Sequence, residues 1–422
     1  MKASRARYGV VVLALTLAVL SYVQRVAISQ AAGPISGELH LTRIQMGLVF
    51  GAFGLSYALF ELPMGVLGDR LGVRRVLTQI VLAWSVFTAL TGAAWNLASL
   101  WAIRFLFGAG EAGCFPNLTR MLSAWLPVGE RVKAQALMWA FTRWGGAATP
   151  PIAFWTISAF GWRWSFVVFA VLGLVWCVVF LAWFRNDPKE HKGVNAAELE
   201  LLQTSRGLVS HEGETRVWRV LVNPKVMLLS LQYFCFSYVW YFYVTWLPSY
   251  LIEARHLTPG MAAAYASLPL LFGGAASLIS GMLPLSIRRR YVALGGFAAT
   301  GVLLFLVPHL QNVAAAMGAM AMASFCSDLT MPISWNACVE IGRRHTATVA
   351  ATMNMLGNLG GFAAPALAGY VLQRTHNDWD LLIYIMAGAA MVSAACWIFL
   401  DPEPAKDRSK TALTPVEAAP QA

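Results

Sequence analysis

Apolar residues run along this chain in long stretches of about twenty positions, parted by short polar segments rich in Lys and Arg. A helix needs ~20 apolar residues to cross a bilayer. Twelve stretches meet that length: 8–28, 44–66, 76–96, 98–122, 134–158, 163–184, 225–249, 261–285, 291–311, 313–338, 346–372 and 380–400. The ~10-residue apolar/polar alternation of a membrane-spanning strand is absent. The pattern predicts an all-α membrane protein with twelve transmembrane helices. The longest polar gap, 185–224, follows the sixth span. It divides the chain into an N-terminal six-helix bundle (1–190), a linker (191–224), a C-terminal six-helix bundle (225–400) and a tail (401–422). The run Asn195-Ala-Ala-Glu-Leu-Glu-Leu-Leu predicts a short surface helix in the linker. The tail, rich in Pro, Ala and Lys, is expected to be disordered.

Composition agrees. Of 422 residues 58% are hydrophobic and 12% charged, against roughly 25% charged in soluble proteins. The net charge of +11 follows from its placement rather than from nucleic-acid binding. With the N-terminus inside, the cytoplasmic segments hold twenty-three Lys and Arg residues and the opposite segments four. The positive-inside rule then puts both termini in the cytoplasm. Lys2, Arg5 and Arg7 before an apolar run, with Ala31-Ala32-Gly33 beyond, imitate a signal peptide. Tyr22 and Arg25 within that run favour a retained first span. The six cysteines lie in apolar segments without a CxxC pair, and the histidines have no ligand spacing. Neither metal nor cofactor is expected. No nucleophile–base constellation points to an enzyme.

Arg25, Arg104, Arg143 and Glu111 stand well inside apolar spans. Each costs at least ~2.5–3.5 kcal/mol at mid-depth, so such residues mark an ion or substrate path. Tyr22 and Arg25 share one helix face, three residues apart. Arg104 and Glu111 are two turns apart, ~10 Å along the axis, too far for direct contact but able to face one cavity. Together they predict an anion site with a proton carrier. Asp328 in span 10 is a second candidate proton site. Glu61 reads as a helix-end pairing residue. Trp240 and Tyr241, in an aromatic run ending at Trp246, and Trp335 are candidate walls for a sugar or ring. Asn354 and Asn358, four apart, can both point into the site and suit hydroxyls. The competing readings are structural: buried ion pairs for the arginines and Glu111, packing for the aromatics, helix-to-helix bonds for the amides.

The two halves echo each other. Gly145-Gly-Ala-Ala-Thr-Pro150 in span 5 returns as Gly360-Gly-Phe-Ala-Ala-Pro365 in span 11, 215 residues later. The arginine-rich link from Gly65 to Arg75 returns at Gly281 to Arg290 with an offset of 216. Parallel six-helix repeats define one transporter architecture.

Gly65-Val-Leu-Gly-Asp69-Arg70-Leu-Gly72-Val-Arg74-Arg75 resembles the major facilitator loop motif GxLaDrxGrkr. Asp69 and Arg70 are then gating residues, with Arg131 a candidate partner for Asp69. The second copy lacks the aspartate. Tyr22-Val-Gln-Arg25, Tyr57-Ala-Leu-Phe, Arg104 with Gly108-Ala-Gly-Glu111-Ala, Trp240 to Pro248 and Met353 to Asn358 resemble the anion:cation symporters of that superfamily, which include galactonate, glucarate, hexuronate and phthalate permeases. The resemblance covers residues 8–400 and implies a bacterial-type inner-membrane protein that moves a small organic anion, a sugar acid foremost, together with protons. It carries substrate contact to Tyr22, Arg25, Tyr57 and Arg104 and the proton site to Glu111. Arg143 is added as a further anion contact. The family's helix 1 pattern has an aspartate where this chain has Gln24, which removes one of two coupling carboxylates. Aromatic-acid or dicarboxylate transport, drug efflux and a transporter-like sensor are the alternatives. A monomer in the lipid bilayer is expected.

Overall fold

The computed structural model describes residues 3–204, 222–280, 289–342 and 346–400, without the side chains of 62, 65–70, 128, 132, 203, 204, 339 and 347. The described residues contain helices and no strand. In chain order they are α1 (Ala6–Gln30), α2 (Ala32–Glu38), α3 (Arg43–Leu71), α4 (Val73–Thr91), α5 (Leu97–Glu111), α6 (Cys114–Trp125), α7 (Val128–Trp183), α8 (Ala196–Thr204), α9 (Pro224–Thr245), α10 (Leu247–Glu253), α11 (Pro259–Ser280), α12 (Arg289–Leu306), α13 (Val313–Gly342), α14 (Thr346–Arg374) and α15 (Trp379–Phe399).

These make the twelve expected passes, with three local differences. Among the described residues, nine stretches are long and apolar enough to cross by composition alone. One is α7, which passes twice because it reverses at Gly161, a glycine at φ 74° that a side chain would oppose. The fourth pass breaks at Ala112–Gly113, directly after Glu111, so that α5 and α6 share it. The seventh, α9, is heavy in Tyr and Trp and turns at Trp246, with Pro248 opening α10. The short α2 was not evident as a separate helix, whereas α8 stands where the linker helix was expected. Residues 205–221, the second arginine-rich loop at 281–288 and the tail lie outside the described residues.

Two six-helix bundles result. Within lipid, association relies on close packing and small interfacial residues rather than on expulsion of water. The repeat is visible in those contacts. A side chain at Gly145 would meet the backbone of Val19 on α1; at Gly360 it would meet the backbone of Phe234 on α9. Val19 and Phe234 are 215 residues apart, as are the two glycines. Each bundle therefore presses its fifth pass onto its first through an equivalent notch.

The bundles meet along α3 against α14 and α7 against α11. Gly47, Gly51 and Gly54 form a stripe on α3: Gly47 faces the Pro365 carbonyl, while a Cβ would stand 2.8 Å from Phe362 O at Gly51 and 2.7 Å from Gly361 C at Gly54. Toward the face opposite the linker, hereafter distal, Arg43 Nη2 holds Glu253 Oε2 at 2.6 Å and Ile44 N donates to Gln373 Oε1 at 3.1 Å. Phe50 meets Trp246 edge-on at 5.3 Å. The bundles are thus joined across the distal half. Gly54→Val should wedge that seam, since overpacking a tight contact costs about 1–3 kcal/mol. A Cys placed at buried Phe50 should then react with maleimide on the order of tenfold faster in detergent. An unchanged rate would mean that the stripe does not hold the distal side shut.

On the linker face, Glu198 of α8 is fully buried. It accepts from Ser4 Oγ at 2.5 Å, Arg7 N at 3.2 Å and Arg7 Nη1 at 3.0 Å. Its carboxylate lies against the free N–H groups and positive dipole end of α1. Arg7 also reaches Glu130 at the start of α7. The linker helix is clamped to the N-terminal bundle.

Candidate functional site

Arg25 lies on α1 and Glu111 ends α5. Their side chains meet: Arg25 Nη2 stands 2.6 Å from Glu111 Oε1. Glu111 is fully buried and the Arg25 side chain 9% exposed. Of the two, only the arginine keeps some exposed surface. Its guanidinium packs over Phe53 at 4.4 Å, Tyr22 at 4.7 Å and Tyr57 at 5.4 Å. Three aromatic faces add favourable cation–π contact while displacing water. Arg25 Nε and Glu111 Oε2 have no hydrogen-bond partner. A buried pair with unused valences is a poor static strut, because desolvation offsets much of its attraction.

This pairing brings together two residues that had separate duties when read from the sequence. The distance between α1 and α5 was invisible in a linear pattern. Arg104 makes no hydrogen bond or ion pair with Glu111, in keeping with their two-turn spacing. It is 2% exposed, stacks on Phe107 at 4.2 Å, and leaves Nε and Nη1 without partners.

Gln24 faces elsewhere. Its amide donates to Phe169 O at 2.7 Å and accepts from Thr88 Oγ1 at 2.9 Å, with no exposed surface. Both ends of the amide serve packing between α1, α4 and the second arm of α7. No proton-carrying group stands at that position.

A second pair bridges the bundles. Arg143 Nη2 on α7 holds Asp328 Oδ1 on α13 at 2.5 Å, with side chains 6% and 0% exposed. Each residue had been assigned alone, Arg143 to the anion and Asp328 to a proton. The Arg143 guanidinium lies 4.6 Å over Trp240. Trp240 in turn meets Tyr22 edge-on at 5.8 Å. One aromatic couple therefore separates the two guanidinium groups.

The remaining candidates extend this wall. Tyr241 stands beside Trp240 and donates to Asn358 Oδ1 at 3.3 Å. Asn358 Nδ2 turns back to Asn354 O at 3.0 Å. Asn354 Nδ2 donates to Glu61 across the bundles. The two amides are therefore engaged by protein groups, and Glu61 bridges to α14 instead of pairing at its helix end. Trp335 is set further out, its indole N–H on Tyr233 Oη at 3.3 Å. Arg131 donates Nε to Leu126 O at 2.9 Å. The side chains of Asp69 and Arg70 lie outside the described ones, and with them the expected latch. Sequence reasoning missed Phe53, the Arg43–Glu253 tie and the glycines of α11. Only the i, i+4, i+7 spacing of Gly47, Gly51 and Gly54 gave a readable signal. Among the described residues no group of His, Cys, Asp and Glu could hold a metal.

Two six-helix bundles meeting around buried arginines and acids are the arrangement of a membrane transporter. The profile of the Major Facilitator Superfamily matches residues 14–365, and the chain belongs to that family. It is 34% identical over 396 residues to the "Probable sulfoacetate transporter" of Cupriavidus necator, covering 91% of each chain. It is 28% identical to the hexuronate transporter of Bacillus subtilis, covering 96% of this chain and 98% of that one. With a D-galactonate transporter of Escherichia coli the identity is also 28%, over 94% and 96% of the two chains. In fold it is similar to a bacterial homologue of the lysosomal transporter Spinster, in an inward-facing and unoccupied conformation. The TM-score is 0.71 at 17% identity, over 94% of this chain and 95% of that one.

Proposed function

We propose that this protein is a proton-coupled symporter of a small organic anion, a sugar acid such as an aldonate, aldarate or uronate, working by alternating access. The observation that carries the reading is the Arg25–Glu111 pair: a buried acid occupying an arginine that alone keeps some exposed surface. A carboxylate substrate and Glu111 then compete for one guanidinium. Relatives named for sulfoacetate, hexuronate and galactonate support an organic anion as cargo.

The cycle follows from charge balance. A proton on Glu111 cancels its charge and weakens its hold on Arg25. The substrate carboxylate takes the guanidinium, favoured by its two-pronged geometry. Tyr22 and Tyr57 flank the cation, and Trp240 and Tyr241 offer an apolar wall with polar edges. The loaded site carries the same net charge as the empty pair. Rocking of one bundle against the other then moves a cargo that is neutral overall. After release of anion and proton the Arg25–Glu111 pair re-forms. The Lys and Arg bias supports a cytoplasmic linker face, which makes the distal seam the extracellular seal. Since Gln24 cannot titrate, a monoanion entering by this pair moves with about one proton. Voltage acts only on net charge moved.

Proteoliposome uptake tests the reading. A pH step, acidic outside and at zero voltage, should drive accumulation of galactonate that a protonophore collapses. An imposed potential without a pH step should do little. Accumulation that requires sodium, ignores the protonophore or follows voltage alone would contradict it.

A further inference from the structure

The Arg143–Asp328 pair repeats the design of Arg25–Glu111 in a different place. In each, one guanidinium nitrogen holds one carboxylate oxygen, at 2.5 Å and 2.6 Å. In each, the acid is fully buried and the arginine slightly exposed. The second carboxylate oxygen is weakly engaged in each: Glu111 Oε2 has no hydrogen-bond partner, and Asp328 Oδ2 has only the Ser324 hydroxyl in its neighbourhood. Both arginines stack on the same Tyr22–Trp240 couple, one on either ring. The Trp240 indole N–H beside them is also buried without a partner.

A notch in α11 permits the second pair. A Cβ at Gly274 would come within 2.5 Å of Trp144 Nε1 and 3.2 Å of Arg143 Cβ, and one at Gly273 would fall on Asp328 Oδ2. Two adjacent glycines open the space in which α7 and α13 reach each other past α11. The pair therefore ties the bundles together at mid-depth, which Arg25–Glu111, inside one bundle, does not.

We propose that Arg143 is a second anion-head subsite, and that the preferred cargo is a two-headed acid whose second head displaces Asp328 and releases this tie between the bundles. The inference rests on the organic-anion reading above. Its chemistry balances: one head takes Arg25 and the other Arg143, while Glu111 and Asp328 each accept a proton. A dianion and two protons cross with no net charge. A one-headed acid leaves the Arg143–Asp328 tie in place unless Asp328 is protonated separately. The second head is either a carboxylate or a sulfonate, both of which suit a guanidinium fork.

Galactonate and galactarate form the decisive comparison, because they differ only in a second terminal carboxylate; sulfoacetate serves as the sulfonate arm. In Arg143→Gln the KM for galactarate should rise at least tenfold more than that for galactonate. In Asp328→Asn, galactarate uptake should become voltage-sensitive, since one proton then accompanies two negative charges. The double variant Arg143→Gln/Asp328→Asn leaves neutral amides in place of the pair and guards against misfolding. It should show the same loss of preference for two heads. A parallel loss in the sulfoacetate arm would identify a sulfonate as an accepted head, and a loss confined to galactarate would restrict the subsite to carboxylates. Equal losses for galactonate and galactarate, or uptake of galactarate that stays voltage-insensitive in Asp328→Asn, would overturn the proposal while leaving the Arg25 site intact. Failure of the unaltered protein to move any of the three acids would instead overturn the organic-anion reading beneath it.

Discussion

Arg25→Gln is expected to lower organic-acid uptake by about 30- to 4000-fold. Truncating one partner of a buried charge pair costs about 2–5 kcal/mol, and 1.4 kcal/mol is tenfold. The substrate loses its only cation in that position, and Glu111 loses its ion-pair partner. Arg25→Lys separates the two ingredients. It preserves charge but not the planar fork, so its uptake should fall between those of the parent and Arg25→Gln. The arginine is held by Phe53, Tyr22 and Tyr57 as much as by the acid. The double variant Arg25→Gln/Glu111→Gln should therefore fold, and its thermal stability should match or exceed that of Arg25→Gln alone. Uptake within threefold of the parent in Arg25→Gln would remove the arginine from the substrate path.

Glu111→Gln should have the second-largest effect, and a different one. With a neutral amide beside it, Arg25 stays free for the anion. Exchange of internal for external substrate should continue, because it needs binding and rocking but no net proton movement. Accumulation against a gradient should vanish. A counterflow assay and a pH-driven uptake assay on the same vesicles separate these outcomes. Accumulation preserved in Glu111→Gln would move proton coupling to another group, Asp328 first.

Much of the fold was legible because a bilayer enforces it. Every buried backbone group must be satisfied within its helix, so each ~20-residue apolar stretch declares a pass. The repeat was legible for a similar reason. Gly145 and Gly360 mark places where backbones touch, and each packs on the first helix of its own bundle. Breaks were less visible. Nothing in the hydropathy of 98–122 announced the interruption at Ala112–Gly113, and the turn at Trp246 was masked by continuous aromatics.

The site was half legible. An arginine inside an apolar span is conspicuous in any sequence, and so is a lone glutamate. Their partners are not, because pairing depends on which helices are neighbours and how they are rotated. Glu111 and Arg25 are 86 residues apart, Asp328 and Arg143 are 185 apart. No local periodicity connects them. The amides are a different case. Asn354 and Asn358 share a helix face as expected, yet Glu61 and Tyr241 already occupy them. Gln24 was read as a missing carboxylate; its place in the structure, bonded to Phe169 and Thr88, gives that glutamine a packing role of its own.

Competition between substrate and Glu111 for one guanidinium is the central claim. Infrared difference spectroscopy on the purified protein addresses it without turnover. Adding saturating galactonate, a one-headed acid, should produce the C=O stretch of a newly protonated carboxylic acid, and that band should be missing in Glu111→Gln. Galactonate that binds without generating the band, or a band that survives in Glu111→Gln, would contradict the account.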